Sequence, residues 1–256
     1  MGDNIRRGTS ILSNEGIETY SFSKLSRFQT CPYSYKLRYV DDNQGIDNVF
    51  SAYGTLVHSI LERYSKGELE IWELANVFDW EFDCNIIDNF PYDKEGKIRD
   101  NYKKQGLNFF SNFEGYDDVE ILGVEQEFFQ VIEDWQLHGF IDLLYRNQDG
   151  KIIIRDYKSK SSLTKKEQEE YSIQLYLYSL WVKEQYGEYP DLELCLFRTN
   201  KVIKIQYDEQ ALLKAKDWAI NLVNAIRETF NYPPVCNQYY CNNICNYREI
   251  CDLKDE

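Results

Sequence analysis

The stretch LHGFIDLLYRNQDGKIIIRDYKSK, residues 137–160, decides the fold of this chain. Residues 135–145 and 151–158 are rich in β-branched and aromatic side chains, which favour strands. Between them, Asn-Gln-Asp-Gly at 147–150 is a strong turn signal. The stretch therefore predicts two antiparallel strands joined by a short turn.

The predicted hairpin carries two aspartates within otherwise apolar strands. Folding about Asp149 puts Asp142 opposite Asp156, with Cβ atoms roughly 5 Å apart. Lys158 shares the face of Asp156, because side chains alternate along a strand. Two such close carboxylates repel each other unless a hard cation such as Mg²⁺ or Mn²⁺ lies between them. The pattern predicts metal-dependent phosphodiester hydrolysis; a surface ion pair is the alternative.

Two residues outside the hairpin are candidate metal ligands. His58 follows Gly54 by four residues, so on a helix the glycine leaves the imidazole uncovered; a hydrogen-bonded core histidine is the alternative. His138 has no such opening. Either Glu125 or Glu127 could reach the metal or face solvent, and we favour Glu125.

The segments outside the hairpin alternate between helical and strand patterns. Their order predicts an α/β (α+β) fold in which helices flank a central mixed sheet. With no repeat or linker in the sequence, residues 1–256 are expected to form one domain. The predicted helices are two within 21–40, then 47–66, 68–92, 98–114, 164–187 and 209–230. Besides the two strands of the hairpin, the predicted strands are 119–132, 192–197 and 202–207.

Composition and charge limit the partners. The chain has 256 residues, of which 43% are hydrophobic and 28% charged, as in ordinary globular proteins. It has no bilayer-length apolar run and no signal-peptide pattern, so we expect a cytoplasmic protein without a membrane partner. A net charge of −14 disfavours general nucleic-acid binding. A local patch could still bind DNA, and the candidates, which could also be solvated faces, are Lys158, Lys160, Lys165 and Lys166, and Lys103 with Lys104.

Seven cysteines are present, which without a secretion signal argues against a disulfide framework. Four of them, at 236, 241, 245 and 251, fall in the last 21 residues. Such crowding is typical of a metal site. Cys84 and Cys195 are expected to be buried as small hydrophobic side chains.

Taken in order, these motifs resemble the PD-(D/E)XK nuclease superfamily, in particular its RecB-like branch and the iron–sulfur CRISPR-associated and phage exonucleases. The resemblance runs nearly end to end. It is carried by SFSKLSRFQTCPYSYKLRYV (21–40), GTLVHSILE (54–62), Glu125, GFIDLL (139–144), IRDYKSK (154–160), YSIQLYLYS (171–179) and the tail from Cys241.

The resemblance implies a restriction-endonuclease-like core and a role for each motif residue. The implied metal ligands are His58, Asp142, Asp156 and Glu125. Lys158 would be the catalytic lysine, acting with the two aspartates. Position 156 is Asp where the family often has Glu, which shortens the reach to the metal. Gln174 and Tyr178 would line the DNA groove, and Lys160 of the basic patch is a further DNA-binding candidate.

The cysteine tail is similar to the family's cysteine cluster. Cys241, Cys245 and Cys251 offer three thiolates, and the resemblance supplies Cys31 as the fourth. Four thiolates suit a [4Fe–4S] cluster or zinc, and the resemblance favours the cluster. Three residues separate the first tail pair where the family commonly has two, and Cys236 could substitute as a ligand. Residues 19–40 and 231–256 would form the iron–sulfur subregion.

The implied function is a Mg²⁺- or Mn²⁺-dependent DNA exonuclease acting on single strands or DNA ends, with 5′ to 3′ polarity suggested by the resemblance alone. A second hypothesis is a non-catalytic DNA-end-binding subunit that works with recombination or CRISPR-adaptation proteins. A third is a zinc-stabilised interaction module with an incidental acidic hairpin.

Overall fold

The computed structural model describes residues 16–87 and 90–251; the remainder of the predicted 1–256 domain lies outside the described residues. Helices and strands alternate along the chain in the predicted order. They are β1 (Glu18–Tyr20), α1 (Phe22–Thr30), α2 (Pro32–Tyr39), α3 (Val49–Ser65), α4 (Leu74–Asn85), α5 (Ile98–Ser111), β2 (Glu120–Ile132), β3 (Trp135–Arg146), β4 (Ile152–Lys158), α6 (Lys165–Tyr186), β5 (Asp191–Leu196), β6 (Lys201–Ile205), α7 (Glu209–Glu228) and α8 (Gln238–Asn243).

The strands form one six-stranded mixed sheet in the order β1-β3-β4-β5-β6, with β2 on β3. Because β2 pairs along almost the whole of β3, strands β1 and β4 share the opposite edge of β3. The β1–β3 and β4–β5 pairs are parallel, and the others are antiparallel. This is the predicted mixed sheet.

The β3–β4 hairpin is confirmed with the predicted register. Leu143 lies opposite Arg155, so the pairing is symmetric about Asp149. The next step of this register brings Asp142 level with Asp156. The tertiary structure therefore places the two aspartates side by side on adjacent strands.

Helices bury both faces of the sheet. Helices α1, α6 and α7 pack on one face, against side chains that include Leu144 and Ile154. Helices α3, α4 and α5 pack on the other, against Leu143 and Tyr157. The period-two alternation of the strands sends neighbouring residues into different cores. Asp156 is buried, with 5% of its surface exposed.

Local signals determine where the helices begin. The Ser21 side chain caps α1 by accepting from the amide of Lys24. Thr164 and Glu167 form a capping box at the start of α6, and Gly187 ends that helix in the left-handed conformation, with φ 78°. Helix α6 carries the predicted groove residues Gln174 and Tyr178, so its bounds help to position the site.

Three features differ from the sequence-based expectations. Strand β1 was not predicted, because three residues carry no measurable periodicity and the strand exists only by pairing with β3. The tail contains the short helix α8 instead of loop alone. Cys84 is exposed, because the buried face of α4 is formed by Leu74, Phe78 and Phe82. No helix among the described residues is both long and apolar enough to cross a membrane.

Candidate metal centre and adjoining groove

Three acidic residues line up across three adjacent strands. The residues on either side of Glu125 in β2 pair with the residues on either side of Asp142 in β3, so Glu125 lies level with Asp142. The β3–β4 register continues the row to Asp156. A row of carboxylates on neighbouring strands concentrates negative charge at one point of the sheet.

The backbone of Glu125 is unusual. Its φ is +44°, a left-handed conformation that costs a non-glycine residue about 1–2 kcal/mol. A register shift between Ile121 and Gly123 shows that this part of β2 is irregular. The Glu125 carboxylate Oε1 lies 3.5 Å from Nδ1 of His58. Backbone strain therefore coincides with a side chain that faces the candidate metal centre.

His58 enters the centre from α3 in a defined orientation. Its Nε2 lies 3.0 Å from the carbonyl oxygen of Tyr157. A carbonyl can only accept, so Nε2 carries a proton and the lone pair of the neutral imidazole is on Nδ1. Nδ1 lies 3.6 Å from Oδ2 of Asp142. A Cβ at Gly54 would meet only Ser159 Oγ, at 3.8 Å, so there is open space at this glycine, one helical turn before His58.

The donor atoms of His58, Glu125 and Asp142 fit a small divalent cation. All lie within 4.8 Å of one another. They are the cluster of three possible metal ligands that the described part of the chain contains. Octahedral Mg²⁺ with bonds near 2.1 Å separates adjacent donors by about 3.0 Å and opposite donors by about 4.2 Å. The observed 3.5 and 3.6 Å separations fall within that span.

The electrostatics of this group favour a cation. Burial and the neighbouring Asp156 raise the pKa of Asp142 well above its ordinary value, although His58 and Lys158 oppose the shift. Burial lowers the pKa of His58, but the surrounding carboxylates more than compensate and raise it to about 9. The protein thus gathers positive charge around Asp142, as a row of buried and half-buried carboxylates requires.

Asp156 contacts the lysine instead of the histidine group. Its Oδ2 lies 2.8 Å from Nζ of Lys158. Gln174 donates to its Oδ1 at 3.2 Å and accepts from Nζ of Lys158 at 3.1 Å. Burial is the largest single influence and lowers the pKa of Lys158, but Asp156, Asp142 and Tyr171 together more than compensate and raise it, so the side chain is an ammonium. The structure thus brings three predicted ligands together and pairs the fourth with the predicted catalytic lysine.

The predicted DNA-binding residues divide into two groups. Gln174 donates to the Tyr178 hydroxyl at 3.2 Å, so these two share a helix face beside Lys158. Lys160 pairs with Glu167 at 3.1 Å. Lys158, Lys166 and Lys103 are also paired with acidic side chains, so these members of the predicted basic patches carry partly balanced charges.

A groove of about 650 Å³ opens beside Lys158, between α1 and the β3–α6 wall. Gln174 and Tyr178 line it, as predicted. Sequence reasoning missed its other wall, on α1, where Ser23, Ser26, Arg27 and Thr30 recur at helical spacing. That spacing was a usable signal, because polar residues on one face of a helix mark the face turned away from the core.

The cysteines named for the iron–sulfur site converge on a second cavity. Cys31, Cys241, Cys245 and Cys251 all line it, together with Cys236. Cys31 caps α2, and its sulfur also accepts from the amide of Val235 at 3.4 Å. Burial is the main cause of a raised pKa at Cys245. Folding therefore brings Cys31 to a tail more than 200 residues away. Cys195, in contrast, is buried in the core, as expected.

The mixed sheet thus carries carboxylates and a lysine at adjacent strand positions. The model of the PD-(D/E)XK nuclease superfamily matches residues 19–252, so the chain belongs to that superfamily and is a nuclease by family. This confirms the resemblance at the level of the superfamily, and with it the restriction-endonuclease-like fold.

A solved structure shares the fold. The crystal structure of a "Putative exonuclease" from Eubacterium rectale is 12% identical with a TM-score of 0.51, covering 99% of this chain and 93% of that one. A protein solved as SSO0001 is 16% identical with a TM-score of 0.41, covering 95% and 89%. Among curated proteins, none matches the chain.

Proposed function

We propose that this protein is a Mg²⁺- or Mn²⁺-dependent DNA exonuclease that acts on single strands or DNA ends with 5′ to 3′ polarity. The observation that carries the proposal is the convergence of His58, Glu125 and Asp142 beside the Asp156–Lys158 pair. The printed description of the Eubacterium rectale neighbour supports the choice of an exonuclease; polarity follows the family resemblance.

His58, Glu125 and Asp142 would hold the metal, with Asp156 as the further ligand. A bound divalent cation polarises a phosphate oxygen and lowers the pKa of a coordinated water. The Tyr157 backbone orients two of the ligands, by accepting from His58 and donating to Asp142 at 2.7 Å. The site therefore needs little reorganisation of these two side chains on metal binding.

Lys158 would stabilise the negative charge that develops on the phosphate in the transition state. Asp156 and Gln174 hold its ammonium group at the mouth of the groove. A charge oriented in advance stabilises the transition state without a reorganisation cost during the reaction. Gln174 and Tyr178 would contact the DNA next to it.

We also propose a [4Fe–4S] cluster on Cys31, Cys241, Cys245 and Cys251. Tetrahedral zinc with bonds of about 2.3 Å would need sulfur atoms about 3.8 Å apart. Among the described cysteines, no three sulfur atoms lie within 4.8 Å of one another, which favours a larger group than one ion. Its role would be structural, tying α2 to the tail.

The test is cleavage of a single-stranded oligonucleotide labelled at either end, with Mn²⁺ or Mg²⁺ titrated in. We expect metal-dependent release of short products from the 5′ end. Glu125→Gln should lose activity, whereas the matched control Glu127→Gln should keep it, because Glu127 pairs with His138 away from the metal. Binding of DNA ends without cleavage at any metal concentration would instead support the non-catalytic subunit.

The cluster is tested on anaerobically purified protein by iron and acid-labile sulfide analysis. About four irons per chain are expected, and Cys245→Ser should lose them. Cys195→Ser is the control, because Cys195 is buried away from the tail. Stoichiometric zinc without sulfide would overturn the cluster proposal.

A further inference from the structure

Arg27 is a groove residue that has no acidic partner. Its Nη1 donates to Ser34 Oγ at 3.0 Å, and its Nη2 donates to Asn246 Oδ1 at 3.4 Å. Its guanidinium lies 5.8 Å from the ring centroid of Tyr247. All three partners are neutral, and Arg27 takes part in none of the ion pairs between described residues.

The other cations near the site are balanced. Lys158 pairs with Asp156, and Lys160 pairs with Glu167. The chain has a net charge of −14, yet none of its carboxylates among the described residues pairs with Arg27, so the guanidinium can bind an external anion. Its fork of donors matches the oxygens of a phosphate. The Nε of Arg27 is buried without a hydrogen-bond partner among the described residues, so the donors left for a phosphate in the groove are the second N–H groups of Nη1 and Nη2.

The two walls of the groove differ in chemistry. On α1, Ser23, Ser26 and Thr30 add hydroxyl donors to the face of Arg27. On the opposite wall the rings of Phe140 and Tyr171 line the groove, and Phe140 is 47% exposed. A single strand presents phosphates to one side and unpaired base faces to the other, whereas a duplex hides its base faces.

We propose that the α1 wall binds the backbone of one DNA strand, that Arg27 takes one of its phosphates, and that Phe140 stacks on a base. This rests on the proposed function and names single-stranded DNA as the substrate of the groove. The cysteine-bearing tail contributes by holding Arg27 through Asn246 and Tyr247.

The first experiment compares two variants that each add one negative charge to α1. One charge lies on the groove side of the helix, and the other lies away from the groove. Binding of a fluorescent single-stranded oligonucleotide is measured by anisotropy in the absence of divalent metal, so that no cleavage occurs. Ser26→Glu should weaken binding about tenfold by repelling phosphates. Gln29→Glu is the matched control, because its retained oxygen can still accept from Trp218 as Gln29 does at 3.2 Å. Equal affinities for the two variants would overturn the proposal.

The second experiment tests the phosphate contact itself. Arg27→Gln should reduce the steepness of the plot of log affinity against log salt concentration by about 0.7, which is the value for one phosphate contact with a single strand. Arg27→Lys keeps the positive charge and should retain the slope. A purely structural Arg27 would lower the melting temperature and leave the slope of the folded protein unchanged. That result would remove Arg27 from the DNA site.

The third experiment tests the aromatic wall. Phe140→Ala should weaken single-strand binding about fivefold or more through lost stacking and leave the weaker binding of a blunt hairpin duplex unchanged. An equal loss for both probes would overturn the single-strand assignment. Cleavage by the parent protein is assayed separately, so failure of the nuclease activity is distinguishable from failure of this groove assignment.

Discussion

His58 donates its Nε2 proton to the carbonyl oxygen of Tyr157 across 3.0 Å. The amide of Tyr157 donates in turn to Oδ2 of Asp142 at 2.7 Å. The main chain of Tyr157 in β4 thus orients two candidate ligands, His58 from α3 and Asp142 from β3. Neither bond involves the Tyr157 side chain. The Tyr157 ring lies on the face of the sheet that α3 covers, where its hydroxyl is 2.8 Å from that of Tyr116.

Asp142→Asn should stabilise the metal-free protein at neutral pH. The asparagine can keep an acceptor for the Tyr157 amide but removes a buried charge. Because the folded-state pKa of Asp142 is raised above 3.8, its protonated form contributes stability that is lost as the pH rises above about 4. In urea unfolding with a chelator present, the free energy of unfolding of the variant should therefore exceed that of the parent by about 1 kcal/mol or more at pH 7.5. The difference should be smaller at pH 4. A less stable variant at pH 7.5 would contradict this electrostatic description.

Lys158→Met should reduce cleavage by about 10²-fold or more, the effect of removing a donor to transition-state charge. It also leaves Asp156 buried without its ammonium partner, so the metal-free melting temperature should fall. Added Mn²⁺ should raise that temperature more than in the parent, because the bound ion then also neutralises an Asp156 carboxylate that has lost its ammonium partner. Lys160→Met is the control, and an equal loss of cleavage there would count against the role of Lys158.

Glu125→Gly should separate stability from metal binding. Glycine adopts a φ of +44° without strain, so the free energy of unfolding should stay constant or rise by up to about 1 kcal/mol. Affinity for Mn²⁺, measured by calorimetry, should fall because a ligand is lost. Glu127→Gly, in a regular part of the same strand, should instead cost about 0.5–1 kcal/mol. Destabilisation of both variants to the same extent would show that position 125 is not strained.

Gly139→Ala should destabilise the protein by about 1–3 kcal/mol. The added Cβ would lie 2.8 Å from the Phe128 ring and 2.9 Å from the Tyr178 ring, and moving Tyr178 would break its bond with Gln174. Gly54→Ala is the contrasting variant, because its Cβ has space and alanine favours a helix by about 1 kcal/mol. Thermal unfolding measures both, and a stable Gly139→Ala variant would show that the two rings yield easily.

The local parts of the fold could be predicted from the sequence. The hairpin register about Asp149 follows from the turn signal and the period-two pattern of the strands. The start of α6 at Thr164 and its end at Gly187 follow from capping chemistry. Each of these signals acts between residues close together in the chain, which is why a single sequence reveals them.

Contacts between segments that are distant in the chain were harder to predict from the sequence. Strand β1 forms only because β3, more than 100 residues later, offers it a hydrogen-bonding edge. The pairing of Lys160 with Glu167 and the exposure of Cys84 likewise depend on how the helices pack. Arg27 could not be singled out, since its lack of an acidic partner is a property of its surroundings.

The sequence by itself determined the acidic row, the adjoining lysine and the superfamily, because spacing along strands and the order of motifs are properties of the chain. Only the tertiary structure decided that Asp142 meets His58 and Glu125 whereas Asp156 meets Lys158. The physical reason is that helix packing sets the distance between α3, α6 and the sheet, and differences of about 1 Å decide which atoms can share a cation.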